Sequence, residues 1–218
     1  MSDELRDRLR SLPTFDGELP EFDPATAPEE PAGLFLDWLN DAIDRGVSEP
    51  HAMTLSTVDG YGRPDSRVLI LKGVEHGRLQ FASSRTSRKG RQLTGVPLAA
   101  ASFYWREIGR QVRVRGRVAE GTREDAARDF LARPEDGRAA ALGSNQSDLL
   151  SDFAAIAEAF SEAQERIAAE AELVPAHWSV YDLVPEEMEF WQARPDRRHV
   201  RLRYEIRGGE WSRSLRWP

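Results

Sequence analysis

Apolar residues at Phe35, Trp38, Leu39, Ala42 and Ile43 recur at helical spacing and predict an amphipathic helix over about residues 32–45, ending near Gly46 and capping the core. The period then falls to two. Ala52-Met53-Thr54-Leu55-Ser56-Thr57-Val58 runs through Asp59-Gly60-Tyr61-Gly62 into Ser66-Arg67-Val68-Leu69-Ile70-Leu71-Lys72, which predicts a β-hairpin. A turn at Glu75-His76-Gly77 leads to a strand over residues 79–83, a short helical piece covers 87–93, and two further strands span 98–105 and 111–119. Connections this short require antiparallel pairing, because a parallel crossover needs about a dozen residues or more. Ala- and Glu-rich periodicity predicts helices over 122–132 and 148–169, with Thr122 and Ser151 as caps. Strand-like runs return at 178–183, 187–192, 200–206 and 210–217, the last two joined by Arg207-Gly208-Gly209. Without repeats or low-complexity tracts, the pattern predicts an α+β domain dominated by an antiparallel β-barrel with peripheral helices over 32–218. Residues 1–31, rich in carboxylates and carrying Pro13, Pro20, Pro24, Pro28 and Pro31, predict an extended N-terminal arm.

At 40% apolar and 31% charged residues, with no run approaching the roughly 18 apolar residues of a membrane helix, the chain is expected to be soluble. The charged start Met1-Ser2-Asp3-Glu4-Leu5 does not resemble a secretory signal, so a cytoplasmic location is expected. The absence of cysteine removes disulfides, thiolate catalysis and zinc ribbons, so redox chemistry would need a bound cofactor. His51, His76, His177 and His199 lack metal-ligand spacing, and no metal is expected. A formal charge of −7 argues against a nucleic-acid partner, yet the stretch from Arg63 to Arg117 is rich in Arg and Lys, so a local anion site can exist in an acidic chain.

Phosphate-binding P-loop, Rossmann and HExxH patterns are absent. Gly143-Ser144-Asn145-Gln146-Ser147 lacks the closing glycine of a nucleophile elbow and lies between predicted helices, which argues against a serine hydrolase. The informative residues are Arg67 and Lys72 at the ends of one predicted strand, and Ser84-Arg85-Thr86-Ser87-Arg88-Lys89-Gly90-Arg91 at a predicted helix start. Hydroxyls and cations there meet free backbone N–H groups and a helix dipole, which suits a phosphate. Solvated surface cations would give the same composition, so this cluster by itself leaves both readings open.

The order of segments from about Pro50 to Pro218 resembles the pyridoxamine/pyridoxine 5′-phosphate oxidase family. The resemblance is carried by Arg67 to Lys72, Phe81-Ala82-Ser83, Ser87-Arg88-Lys89-Gly90, Arg110-Gln111-Val112-Arg113-Val114-Arg115-Gly116, Arg133-Pro134, Asn145-Gln146-Ser147, Glu189-Phe190-Trp191-Gln192, and Arg197-Arg198-His199-Val200-Arg201. It implies a split β-barrel homodimer with FMN at the subunit interface. It further implies that Arg67, Arg88 and Lys89 bind the flavin phosphate and that Lys72 faces flavin and substrate. Val68, Leu69, Ile70, Leu71, Phe81, Ala82, Ser83, Ser87, Gln111, Gln146, Ser147, Trp191 and Arg201 would complete the cofactor shell. Arg197 and His199 would contact the substrate as a hydride passes to the flavin, with O₂ as final acceptor and pyridoxal 5′-phosphate and H₂O₂ as products. Arg113 and Arg115 share a strand face and would be either interface or solvated residues.

Members that make pyridoxal phosphate hold the substrate phosphate with a Lys, a Tyr, an Arg and a Ser. Lys72 and Arg133 match, whereas Asp129 and Gly137 occupy the Tyr and Ser positions, and an aspartate repels a phosphate. Thr14-Phe15-Asp16-Gly17 stands where such enzymes have an Arg and a Tyr that close over the ligand. Arg45-Gly46-Val47-Ser48-Glu49-Pro50 and Tyr104-Trp105-Arg106-Glu107 resemble the phenazine-biosynthesis branch, which implies an FMN oxidase of a non-phosphorylated ring. A flavin carrier without turnover is the third possibility, disfavoured by the presence of both Arg197 and His199.

Overall fold

The structure, a computed structural model, describes residues 2–15, 18–150 and 152–218. In chain order the elements are α1 (Ser2–Arg10), α2 (Pro31–Asp44), β1 (Ala52–Val58), β2 (Pro64–Ile70), β3 (Gly73–Glu75), β4 (Arg78–Ser84), α3 (Arg88–Gly95), β5 (Leu98–Trp105) and β6 (Arg110–Glu120). They continue with α4 (Arg123–Leu131), α5 (Glu135–Gly143), α6 (Ala154–Ala169), β7 (Trp178–Gln192), β8 (Val200–Arg207) and β9 (Glu210–Leu215). Strands are hydrogen-bonded in the order β2-β1-β5-β6-β7-β4-β3, with β8 on β7 and β9 on β8. Pairing is antiparallel at β1–β2, β3–β4, β7–β8 and β8–β9, as the short connections require, and also at β4–β7, whose strands are far apart in the sequence.

Two compact units divide the chain. The first, Met1–His51, Ser102–Val114 and Glu187–Pro218, is held by aromatic packing. The apolar face of α2 buries Phe35 and Trp38. Phe35 meets Phe103 at 5.1 Å, Trp38 meets Phe190 edge-on at 5.3 Å, and Phe190 meets Tyr204 at 5.7 Å. The buried guanidinium of Arg110 lies 4.4 Å over the Trp38 ring and donates to Asp41 on α2 at 2.7 Å.

The second unit, Ala52–Ala101 and Arg115–Glu186, buries Met53, Leu55, Leu79, Phe81 and Leu183. Its register sets Arg67 opposite Leu55 and Phe81 opposite Tyr181; alternate side chains of β4 are buried in the core, and those of β2, Arg67 among them, are half-buried. Gly116 is required here, because a Cβ would lie 1.9 Å from the Val184 carbonyl oxygen.

The structure differs from expectation in several elements, the short β3 (Gly73–Glu75), which the pattern leaves unassigned before a turn, among them. The arm is helical over Ser2–Arg10, with Asp3 and Glu4 in the first turn, Arg8 and Arg10 in the last, and an Arg6–Asp3 pair at 2.9 Å. The runs at 178–183 and 187–192 are one strand, β7, which Pro185 does not break. Helix α5 follows Pro134, where Glu135 and Asp136 begin an Ala-rich turn that the sequence reading assigned to no element. Helix α6 begins at Ala154, later than expected; its expected cap Ser151 lies outside the described residues, as do Asp16 and Gly17.

Candidate functional site

The second unit gathers the residues expected at the phosphate. Ser87 caps α3: its hydroxyl accepts from the Gly90 N–H at 3.2 Å and donates to the Ser84 carbonyl at 2.7 Å. Gly90 lets the helix start this close to the preceding strand, since a Cβ would lie 2.4 Å from the Arg85 oxygen and 2.5 Å from the Ser84 oxygen. Arg88 and Lys89 therefore occupy the first turn, where the helix dipole is positive. Lys89 is only 5% exposed, and its Nζ donates to Gln146 Oε1 at 2.6 Å. Burial, reinforced by the positive charge of Arg67 and opposed by Asp65, pulls its ammonium down to about 8.

Arg67 projects from β2 onto the same cluster. It donates to Thr57 Oγ1 at 2.7 Å and pairs with Asp65 at 2.8 Å, and Arg88 reaches the same Asp65 oxygen at 3.2 Å. Buried Thr57 and Gln92 are bonded to each other at 2.6 Å and back the Arg67 guanidinium. Ser147, in a left-handed conformation at φ 81°, accepts from the Arg88 backbone N–H at 3.1 Å. Three cations thus converge against one carboxylate at a helix start.

A cavity of about 410 Å³ opens alongside, lined by Val68, Leu69, Ile70, Lys72, Ala82, Ser83, Arg133, Gly137, Gln146 and Trp178 among others. Lys72 lies just past the end of β2, where its N–H donates to the Gln80 carbonyl at 2.8 Å. Leu71 and Phe81 are buried in the core, Phe81 stacked on Tyr181 at 5.3 Å, so they support this wall from behind. Asp129 on α4 binds Trp178 Nε1 at 2.9 Å, lies 3.5 Å from Arg133 Nε and lies 4.0 Å from Lys72 Nζ. The Arg133 guanidinium is in turn 4.3 Å over the Trp178 ring. Gly137, on α5, faces the cavity without a side chain.

In the first unit, His199 Nδ1 accepts from the Arg194 N–H at 3.0 Å, so the proton of the neutral ring sits on Nε2. Its ring packs on Trp191 at 4.9 Å, and Phe15 covers both, 5.5 Å from Trp191 and 6.0 Å from His199. Arg197 takes a left-handed conformation at φ 62° in the turn before β8. Arg201 pairs bidentately with Glu189, Nε donating to Oε1 at 3.1 Å and Nη2 to Oε2 at 3.0 Å, and Arg113 donates to the same carboxylate at 2.9 Å. Gln111 is half-buried on β6. The expected residues therefore fall into two sets: Arg67 to Lys72, Ser83, Ser87 to Lys89, Asp129, Arg133, Gly137, Gln146 and Ser147 in one unit, and Gln111, Trp191, Arg197, His199 and Arg201 in the other.

The sequence profile described as pyridoxamine 5′-phosphate oxidase matches residues 39–167, and that of the pyridoxine 5′-phosphate oxidase C-terminal dimerisation region matches 178–218. The chain belongs to the pyridoxamine 5′-phosphate oxidase family. It is an oxidoreductase of that family. It is 39% identical to a pyridoxine/pyridoxamine 5′-phosphate oxidase of Pseudomonas paraeruginosa over the whole of both chains. It is 42% identical to that of Ectopseudomonas mendocina over 89% of this chain and 91% of the relative. Among solved structures, PhzG from Burkholderia lata, crystallised with tetrahydrophenazine-1-carboxylic acid, superposes with a TM-score of 0.87 at 34% identity, covering 93% of this chain and 100% of that one. Those matches bear out the split-barrel family fold, and the dimerisation region at the C terminus belongs to it.

Sequence reasoning missed the residues that hold these expected side chains in place. Asp65 alternates with Arg67 on β2, a two-residue spacing that could have flagged it. Thr57, Gln92, Trp178 and Glu189 reach their partners across 35, 25, 49 and 12 residues respectively, and no local pattern announces them. Among the described residues no helix is long and apolar enough to cross a membrane, and no group of three or more His, Cys, Asp or Glu is placed to hold a metal.

Proposed function

We propose that this protein is an FMN-dependent oxidase of a small ring compound, working as a homodimer with O₂ as electron acceptor. The observation that carries this reading is the buried Lys89, converging with Arg67 and Arg88 on the start of α3. A cation of lowered proton affinity in such a place fits a phosphate dianion, which would repay the cost of burying it. Arg67, Arg88 and Lys89 would hold the FMN phosphate. Ser83, Ser87, Gln146 and Ser147, with the backbone of residues 68–71 and 81–82, would line its path, and Gln111, Trp191 and Arg201 would belong to the same shell. When bound, FMN supplies a two-electron acceptor that takes a hydride from a substrate carbon and passes the electrons to O₂, giving H₂O₂.

Arg197 and His199 would contact the substrate. The Arg194 N–H holds the His199 ring through Nδ1 and so leaves the proton on Nε2, which would orient a substrate polar group beside the ring of Trp191. Lys72 and Arg133 would hold the substrate's anionic group in the 410 Å³ cavity. Relatives named for pyridoxine and pyridoxamine 5′-phosphate suggest that those are oxidised to pyridoxal 5′-phosphate. The Asp129 carboxylate between Lys72, Arg133 and Trp178 instead favours the second reading, a non-phosphorylated ring as in phenazine biosynthesis, and PhzG's ligand is of that class.

The purified protein is expected to be yellow, or to become so with added FMN; a protein that never binds FMN would overturn the proposal. Anaerobic mixing of the holoenzyme with pyridoxamine 5′-phosphate, followed at the flavin absorbance band, separates the readings. Bleaching assigns the phosphorylated substrate. No bleaching there, with bleaching by a reduced phenazine carboxylic acid, assigns the second.

A further inference from the structure

We propose that Asp129 is a resident counter-ion that determines which anion the Lys72–Arg133 pair accepts, rejecting a phosphate dianion and admitting a singly charged group. The inference rests on the oxidase reading above and concerns selectivity within that site. Lys72 and Arg133 line the cavity, whereas Asp129 stands behind them, its side chain 14% exposed. One carboxylate oxygen accepts from Trp178 Nε1 at 2.9 Å and lies 3.5 Å from Arg133 Nε; the other faces Lys72 Nζ at 4.0 Å. The pair therefore presents two positive charges with one negative charge built into the wall. A phosphate dianion would leave this group of charges net negative in a half-buried place, and its desolvation cost grows with the square of its charge while its attraction to one net positive charge grows only in proportion, whereas a monoanion such as an aryl carboxylate leaves the group neutral at a lower desolvation cost.

The carboxylate is held in that role. Trp178 packs edge-on against Phe130 at 5.8 Å, one residue along α4 from Asp129, and Arg133 is the next turn of the same run, stacked on the same indole. Rotating Asp129 away would break the Trp178 bond and the Arg133 pair together. Gly137 adds to the bias by offering no hydroxyl, although a Cβ there would meet only Arg133 Cβ at 3.8 Å and Pro134 Cδ at 3.9 Å, ordinary contact distances. Space for a phosphate-binding serine is thus available at position 137 but not used. Asp129 acts through the two cations and is a positioning residue.

The test uses FMN-loaded protein at about pH 7.5 and two ligands with the same ring, phenyl phosphate and benzoate, followed by perturbation of the flavin spectrum. Wild type is expected to bind benzoate more tightly than phenyl phosphate. Asp129→Asn keeps an oxygen for Trp178 and removes only the charge. Because Coulomb energy scales with ligand charge, a gain of about threefold for benzoate should appear as about tenfold for phenyl phosphate. Asp129→Glu should restore the wild-type ratio, and Gly137→Ser should raise phenyl phosphate affinity further in the Asn background. Equal shifts for both ligands, weakening of both, or a wild type that prefers phenyl phosphate would overturn the proposal. The wild-type ratio decides the matter even if Asp129→Asn fails to fold. Failure of the protein to take up FMN would instead overturn the oxidase reading, and it is scored separately before any ligand is added.

Discussion

Two cationic clusters in one compact unit, a short distance apart in sequence on and after β2, differ in how much of their charge is cancelled. Around Lys89, three cations (Arg67, Arg88, Lys89) face the single carboxylate Asp65. Around Lys72, two cations face the single carboxylate Asp129. The first is left with an excess of two charges at a helix start, the second with one. On the proposed reading the first would match a phosphate dianion and the second a monoanion, so the same residue types on one wall would select different ligands by one unit of charge. The difference teaches that counting Arg and Lys is uninformative until the carboxylates that answer them are located.

The most severe way to break the first cluster is through its backbone. Gly90→Val would drive a Cβ into the Ser84 and Arg85 carbonyls, and should cost several kcal/mol of stability, on the order of 2–4, with loss of FMN binding; urea denaturation checks it. Removing charge is next. Lys89→Ala and Arg67→Ala should each weaken FMN binding by about tenfold to a hundredfold, as a charge-assisted contact of roughly 1.5–3 kcal/mol implies, and unchanged affinity by fluorescence titration would misplace the phosphate.

Titration sharpens the same point without mutation. The Lys89 proton is held less tightly in the folded apo protein, to about 8, than in the unfolded chain, so apo stability should rise as pH climbs from about 8 toward the ordinary lysine value. A bound phosphate favours the charged form and raises that pKa. FMN affinity should therefore be full below about 8 and fall above it, by at most about tenfold per pH unit for one proton, and Lys89→Met should flatten the profile. The smallest effect tests whether the clusters are independent: Asp129→Asn should change FMN affinity by less than about twofold, and a larger change would show that the two share one ligand group.

Much of this was legible in the chain. The hairpin over 52–72, the strand at 78–84, the helix after Ser87 and the capping pair Thr122–Asp125 all appear where periodicity and cap chemistry place them, since each is decided by residues within a few positions of one another. The departures have nonlocal causes. The pattern separates the runs at 178–183 and 187–192, yet β7 continues through Pro185 because its neighbours supply the pairing and Gly116 admits the close approach of Val184. Helix α5 carries Gly137 and Gly143 and has Leu142 as its one large apolar residue, so no apolar period stands out. Asp129 stands out in the chain as a departure from the family pattern, but its partner Trp178 lies 49 residues away and no pattern connects them.

What the sequence by itself determined is the inventory: which cations and amides are present, in what order, and which local elements carry them, because propensity, period and capping act over one or two turns. Only the tertiary structure decided how those charges are answered. Burial of Lys89, the sharing of Asp65 by Arg67 and Arg88, and the seating of Asp129 against Trp178 depend on strand register and helix packing across tens of residues. Electrostatic selectivity depends on distance and desolvation, and both quantities exist only once the chain is folded.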